Sequence, residues 1–584
     1  MLEESLNQFL RRLLAIIVCA GLLAPLTPAQ RETRGTRAPQ KTSAPKLVVV
    51  IVVDQMRGDY IERYGHQWTK GLRRLVKQGA WFRQAAYPYM NTITCAGHAT
   101  IGTGTFPATH GMILNDWWDR ELGKQVGCAE DANAKTVSYS SPQARAQYSG
   151  WRLQATTLAD EMRAQLSGRP RVVALSLKPR SAIGLAGHGG DAVTWFHDAS
   201  GAWVTSSAYA AAPVAAVEKF VQAHPVDAYL GKEWRRALPE SAYLFPDDAE
   251  GERPPSGWTR AFPHELKGLA GKPDAHFYDV WKQTPYSDAY LGKMAAALAD
   301  QFELGKDDSP DYLGISFSAL DLTGHDFGPR SHEAQDVLIG LDATIGELLS
   351  HLDKTVGTSN YVVALTADHG VAPVPEQMAL EGFDAGRVGT VDVVNRIEKA
   401  LEPVWGAGKY VARMSYPDLY FLPSVHTKLQ ADAAAMRAVK DAISSVPGVL
   451  RMFGSEELLD ARRSGDSLKR AAALSFYPGR SGDMVIVPKP YWFFVTNAAS
   501  RSAGSATTHG TLYGYDQRVP VILMGPGIKS GEFLSAATPA DIAPTLALLC
   551  GITLANADGR VLAEALQLPQ TAKASGSAAA PKKP

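Results

Sequence analysis

Three aspartates stand at the ends of apolar runs, and two of them have a histidine close by. Asp54 closes "KLVVVIVVD", Asp321 closes "YLGISFSALD" and Asp368 closes "YVVALTAD". His325 follows in "DLTGH" and His369 in "TADHG", while His509 lies in the polar segment "TTHGTLYGYD". A carboxylate beside a long apolar run is costly to bury unless it is paired. Any one of these aspartates could cap a helix, and any one histidine could be a surface residue. All six at strand ends point instead to metal ligation. Imidazole and carboxylate suit Zn²⁺, three per ion leave an open coordination position, and six could hold two ions.

The segment "NTITCAGHATIGTG", Asn91 to Gly104, offers three candidate nucleophiles in four residues: Thr92, Thr94 and Cys95. "CAGHATIG" is compatible with a helix starting just after Thr94, and a helix amino terminus favours an anionic phosphoryl group. A hydroxyl there needs a base or a metal to lower its pKa. Lys178 and Arg180 flank Pro179 at the end of "RVVALSLK". If Pro179 keeps the chain extended, both side chains project to one face and reach the same anion. A phosphate monoester carries two negative charges and a diester one, so two such cations favour monoesters.

These residues need elements to position them. The apolar runs alternate with amphipathic segments such as "HEAQDVLIGLDATIGELLSHLDK" and "TPADIAPTLALLCG". Continuous apolar runs suit strands buried on both faces of a mostly parallel sheet, and the alternation predicts a layered α/β fold. Ligands bind at the carboxyl ends of such strands, where the polar residues stand. The pattern weakens over about 189–300, read as a cap insertion, and again over about 374–492, read as a second, irregular insertion.

With 59 basic and 59 acidic residues among 584, the chain has no global field to draw nucleic acid or a membrane surface. Attraction for an anionic substrate must be local. Residues 1–29 read as a signal peptide: Arg11 and Arg12 precede the 14-residue apolar run "LLAIIVCAGLLAPL", shorter than the roughly 20 residues of a membrane span. Residues 30–45 read as a flexible lead-in and 568–584 as a disordered tail. Export permits a Cys95–Cys128 disulfide, with Cys550 in "LALLC" as a core thiol.

Together, "VVDQMRGD", "TCAGHATIGTG", "ALDLTGHDFGP", "TADHG" and "HGTLYGYDQRVPVI" resemble the alkaline phosphatase superfamily. Within it, they are similar to the PafA-type bacterial phosphatases and to the nucleotide pyrophosphatase/phosphodiesterases. The similarity runs from about Lys46 to Gly559. It implies an alkaline-phosphatase-like α/β/α catalytic domain over 46–567, with two Zn²⁺. One would be held by Asp321, His325 and His509, the other by Asp54, Asp368 and His369. It selects Thr94 as nucleophile and Asn115 as a phosphate-oxygen donor, and it matches Lys178 and Arg180 to the cations of the monoesterase branch. The Cys95 backbone N–H is expected to join them on the phosphoryl group. "CAGHA" lacks the Pro and Arg that accompany a sulfatase's modified residue, which counts against Cys95.

The resemblance thus implies an exported alkaline phosphatase, periplasmic or secreted. It would cleave small-molecule phosphate monoesters through a phosphothreonine, with no nucleic-acid partner and no stable membrane insertion. The alternative is a phosphodiesterase or nucleotide pyrophosphatase on the same bimetallic site. The natural leaving group stays open.

Overall fold

Runs that read as buried strands form the middle of a ten-stranded sheet. Its order is Gly531–Ala537, Ala80–Ala85, Val521–Met524, Tyr361–Thr366, Leu47–Val53, Asp311–Phe317, Val172–Ser176, Ala192–His197, Ala202–Ser206, Thr136–Ser138. The five strands from Tyr361–Thr366 to Ala192–His197 are mutually parallel; antiparallel strands appear only towards the edges. The computed structural model describes residues 44–140, 144, 147–497 and 504–567. The expected signal peptide, nearly all of the lead-in and the tail lie outside these residues.

Successive side chains of Leu47–Val53 enter opposite cores, as the two-residue period of a strand requires. Leu47, Val49, Ile51 and Val53 pack with the helices Gly71–Gln78, Pro285–Gln301 and His332–Thr355. Val48, Val50 and Val52 pack with Thr94–Thr103, Pro179–Ala186 and Ile542–Cys550. The result is an α/β/α sandwich, with Cys550 buried in its second core.

Neighbouring strands lie about 4.8 Å apart, so residues just past adjacent parallel strands must meet. In sheet order these are Asp368, Asp54, Asp321 and Lys178. Four distant segments of sequence thus place three carboxylates and an ammonium on one edge.

Both insertions differ from their expected outlines. The region from 189 begins inside the main sheet, as the strands Ala192–His197 and Ala202–Ser206. The stretch 374–492 is regular. It carries an antiparallel four-stranded sheet in the order Val411–Ser415, Asp418–Phe421, Met484–Pro488, Val449–Gly454. The helices Thr390–Trp405 and Ala433–Ser444 close a separate core over it, through Val393, Ile397, Val439 and Ile443. Its strands are only four to six residues long and carry exposed cations such as Arg413 and Arg451, so they leave no long apolar run. Among the described residues no helix is long and apolar enough to cross a membrane.

Candidate active site

The Thr94–Thr103 helix runs close under the polar edge of the sheet because its residues are small. A Cβ on Gly97 would lie 2.2 Å from the Asp368 carbonyl oxygen, and one on Gly102 would lie 2.1 Å from that of Gly184. Extended Ile93 caps the helix, so Thr94 is its first residue and its hydroxyl performs no capping. Thr94 Oγ1 lies 3.4 Å from His369 Nε2. The other candidate nucleophiles are engaged. Thr92 Oγ1 donates to the Thr511 carbonyl at 2.8 Å, and Cys95 forms a disulfide with Cys128, a pairing that export permits but the sequence leaves open.

Asp321, His325 and His509 form one group, and Asp54, Asp368 and His369 another; within each, one ligand atom per residue lies within 4.8 Å of the others. Asp321 and His325 share a face of the Ala319–Phe327 helix, one turn apart. The Nδ1 of each histidine meets a backbone carbonyl: His325 at Thr507 (2.9 Å), His509 at Thr92 (2.8 Å) and His369 at Gly370 (2.9 Å). A carbonyl can only accept, so Nδ1 holds the proton and Nε2 presents a lone pair. Those lone pairs face carboxylate oxygens. His325 and His509 Nε2 stand 3.3 and 3.7 Å from Asp321 Oδ1; His369 Nε2 stands 3.6 Å from Asp54 Oδ1 and 3.3 Å from Asp368 Oδ2. Asp54 Oδ1 and Asp368 Oδ2 are buried without a hydrogen-bond partner. Lone pair against lone pair in a dry site is repulsive unless a cation lies between them, and this borderline nitrogen–oxygen donor set fits divalent zinc.

The charges of the cluster are unequally shared. Lys178 Nζ bridges Asp54 Oδ2 at 2.6 Å and Asp321 Oδ2 at 2.5 Å. Burial, reinforced by Asp321 and Asp368, pushes the Asp54 carboxyl well above the usual carboxylate range. Burial acts in the same sense on Asp321, but the charge of Lys178 overcomes it and holds that group well below. Burial also lowers His369 and His509, the latter further through the neighbouring imidazoles.

Lys178 and Arg180 depart from the expected extended pair. Lys178 is extended (φ −105°, ψ 130°), but Pro179 opens the Pro179–Ala186 helix and Arg180 lies in its first turn. Proline's fixed φ suits the first helical position, and here that preference prevails. Lys178 therefore turns into the carboxylates. Arg180 Nε is buried without a hydrogen-bond partner, and among the described residues its guanidinium forms no ion pair. Asn115 Oδ1 accepts from the Cys95 N–H at 3.0 Å, which directs its Nδ2 away from the helix. The same bond engages the Cys95 N–H, so that group is not the independent phosphoryl donor expected from the sequence.

The model of the family "type I phosphodiesterase / nucleotide pyrophosphatase" matches residues 48–512. The chain belongs to that family. It is 31% identical over 564 residues to alkaline phosphatase PafA of Elizabethkingia meningoseptica, covering 95% of this chain and 98% of the relative. Alkaline phosphatase PhoV of Synechococcus elongatus is 29% identical over 568 residues, with the same coverage, 95% and 98%. The crystal structure of wild-type PafA superposes with a TM-score of 0.81 at 30% identity, over 90% of this chain and 99% of that one. As a member of this family, the protein is an enzyme that hydrolyses phosphate esters.

Two residues of this family member's site carried little sequence signal. Gln55, at φ +68°, donates its N–H to Asp368 Oδ1 (3.1 Å) and its Nε2 to Asp321 Oδ1 (2.7 Å), tying the two groups together. Gly324 makes room for it: a Cβ there would sit 1.9 Å from Gln55 Oε1. His98 joins the Thr94 carbonyl (2.9 Å) to Ser316 Oγ (2.8 Å) and lies 3.2 Å from Asp368 Oδ2. Adjacency to Asp54 and Thr94 was the only hint of either.

Proposed function

We propose that the protein is an exported, zinc-dependent alkaline phosphatase that cleaves phosphate monoesters through a phosphothreonine at Thr94. The observation that carries this reading is the pair of three-residue groups, whose Nε2 lone pairs and unpartnered carboxylate oxygens converge beside the Thr94 hydroxyl. Asp54, Asp368 and His369 would hold one ion, and Asp321, His325 and His509 the other. Bound there, zinc supplies Lewis-acid charge that lowers the pKa of a nearby hydroxyl and offsets charge on a leaving oxygen.

The chain's own residues do the positioning. Thr94 Oγ1 attacks phosphorus, the bond to the leaving oxygen breaks, and the phosphoryl group is left on Thr94. Water then attacks the same phosphorus, releasing inorganic phosphate and restoring the hydroxyl. Asn115 Nδ2 and Arg180 donate to the non-bridging oxygens. Lys178, whose ammonium stands between Asp54 and Asp321, has a flexible stem that would let it add a second positive charge to the phosphoryl group. Such a reaction depends almost wholly on position and charge.

The matching family's name makes diester and pyrophosphate cleavage the competing reading. Arg180, without an ion pair among the described residues, favours the more highly charged monoester. The test compares para-nitrophenyl phosphate with bis-para-nitrophenyl phosphate, in wild type and Lys178→Ala/Arg180→Ala. The monoester should lose about 3 kcal/mol or more of transition-state stabilisation and the diester much less. Equal losses on both would refute the monoesterase assignment.

A further inference from the structure

The core of the 374–492 insertion and the active-site rim border a cavity of about 860 Å³. Two of its lining residues flank site residues directly: Thr508 precedes His509, and Asp116 follows Asn115. Tyr416, also in the wall, hydrogen-bonds Thr508 Oγ1 at 2.9 Å. The cavity therefore borders the Asp321, His325 and His509 group. Thr94 lies by His369 of the other group. In an in-line displacement the leaving group departs opposite the nucleophile, and this cavity offers it space beside the group to which His509 belongs.

The lining is strongly cationic in a chain of zero net charge. Arg253 and Arg387 both reach Glu376, at 3.4 and 2.8 Å, so one carboxylate serves two guanidiniums. Lys409 and Arg413 are exposed on the cavity wall, and among the described residues neither has an ion-pair partner. Asp116 is the one acid among the described lining residues, and its Oδ1 already accepts from Gln125 Nε2. Val394, Met414 and Phe494, which pack in the core of the 374–492 insertion, give the lining its apolar floor.

Resting on the phosphatase reading, we propose that this cavity is a leaving-group subsite for phosphate esters whose leaving group joins a flat apolar ring to a further negative charge. The ring lies on the floor beside Tyr416, and the distal anion meets Arg413 and Lys409. The local field that a neutral chain lacks globally is thereby concentrated where the substrate's second charge arrives.

A matched pair of substrates tests this: 4-(carboxymethyl)phenyl phosphate and its uncharged amide, 4-(carbamoylmethyl)phenyl phosphate. The methylene insulates the phenol, so the two leaving oxygens are alike and only the distal charge differs. Wild type should show a kcat/KM on the carboxylate about fivefold or more above that on the amide at low salt. The excess should shrink near about 0.5 M salt, as exposed charges are screened. Lys409→Ala/Arg413→Ala should bring the ratio to about one, whereas Lys354→Ala, on a remote exposed helix end, should leave it as in wild type. A wild-type ratio of one, or an unchanged ratio in the double variant, would overturn the subsite while leaving the phosphatase reading intact. No turnover of either ester would instead overturn the phosphatase reading.

Discussion

At the residue scale, hydrogen-bond direction carries the metal argument. Three Nδ1–H groups donating to carbonyls fix three imidazoles with Nε2 facing carboxylates, and tautomers held this way are poised for ligation. Gln55 holds Asp321 and Asp368 from one side chain and one N–H. Gln55→Ala should therefore weaken metal binding by roughly 10–100-fold, measured by competition with a chromophoric chelator, while the fold persists. Thr94→Ala should abolish monoester turnover but leave metal content unchanged, as shown by elemental analysis. Residue type and strand-end position marked the candidate metal ligands in the sequence, whereas their division into two groups and the choice of Thr94 over Thr92 and Cys95 came from the family resemblance. Gln55 and His98 were not legible, because their partners lie in segments that only the fold brings near. The destination of Lys178 was missed because it depended on whether Pro179 would extend the chain or start a helix.

At the element scale, the site depends on how closely helices approach the sheet. Gly97→Ala would drive a methyl into the Asp368 carbonyl and push the Thr94 helix outward. A displacement near 1 Å is enough for a loss on the order of 100-fold in kcat/KM. The Cys95–Cys128 bond, 33 residues apart in sequence, ties the start of that helix to the segment following Asn115. Cys128→Ser should cost about 2–4 kcal/mol in denaturant unfolding and lower kcat/KM by loosening Asn115.

A pH prediction belongs to the Ala319–Phe327 helix. Asp288 Oδ1 accepts from the Ala319 N–H at 3.3 Å, and burial pushes its carboxyl up to about 7. A carboxyl raised on folding contributes its full stability below its ordinary value near 4 and loses it as pH rises through about 7. Asp288→Asn cannot ionise, so it should flatten the thermal-unfolding profile between pH 5 and 8 and raise Tm at the alkaline end. A variant with the wild-type pH slope would contradict that role.

At the scale of the whole molecule, one neutral chain separates a rigid sheet edge, which holds the chemistry, from the 374–492 insertion with its own core, which forms the cavity wall. The parallel sheet was legible because strands buried on both faces leave long apolar runs. The regular structure of the 374–492 insertion was not legible because its strands are short and carry charge on their exposed faces. On the proposed reading, the two buried groups of carboxylate and imidazole ligands gain stability from bound cations. Chelation should lower Tm, and zinc at about 1,000 times its dissociation constant should restore about 4 kcal/mol per site.

Anomalous diffraction from crystals grown with zinc and vanadate tests the central claim most directly. Two zinc peaks are predicted, one among Asp54, Asp368 and His369 and one among Asp321, His325 and His509, with vanadium bonded to Thr94 Oγ1. Zinc absent from either group in a fully active crystal, or vanadium bonded to any other side chain, would contradict the account.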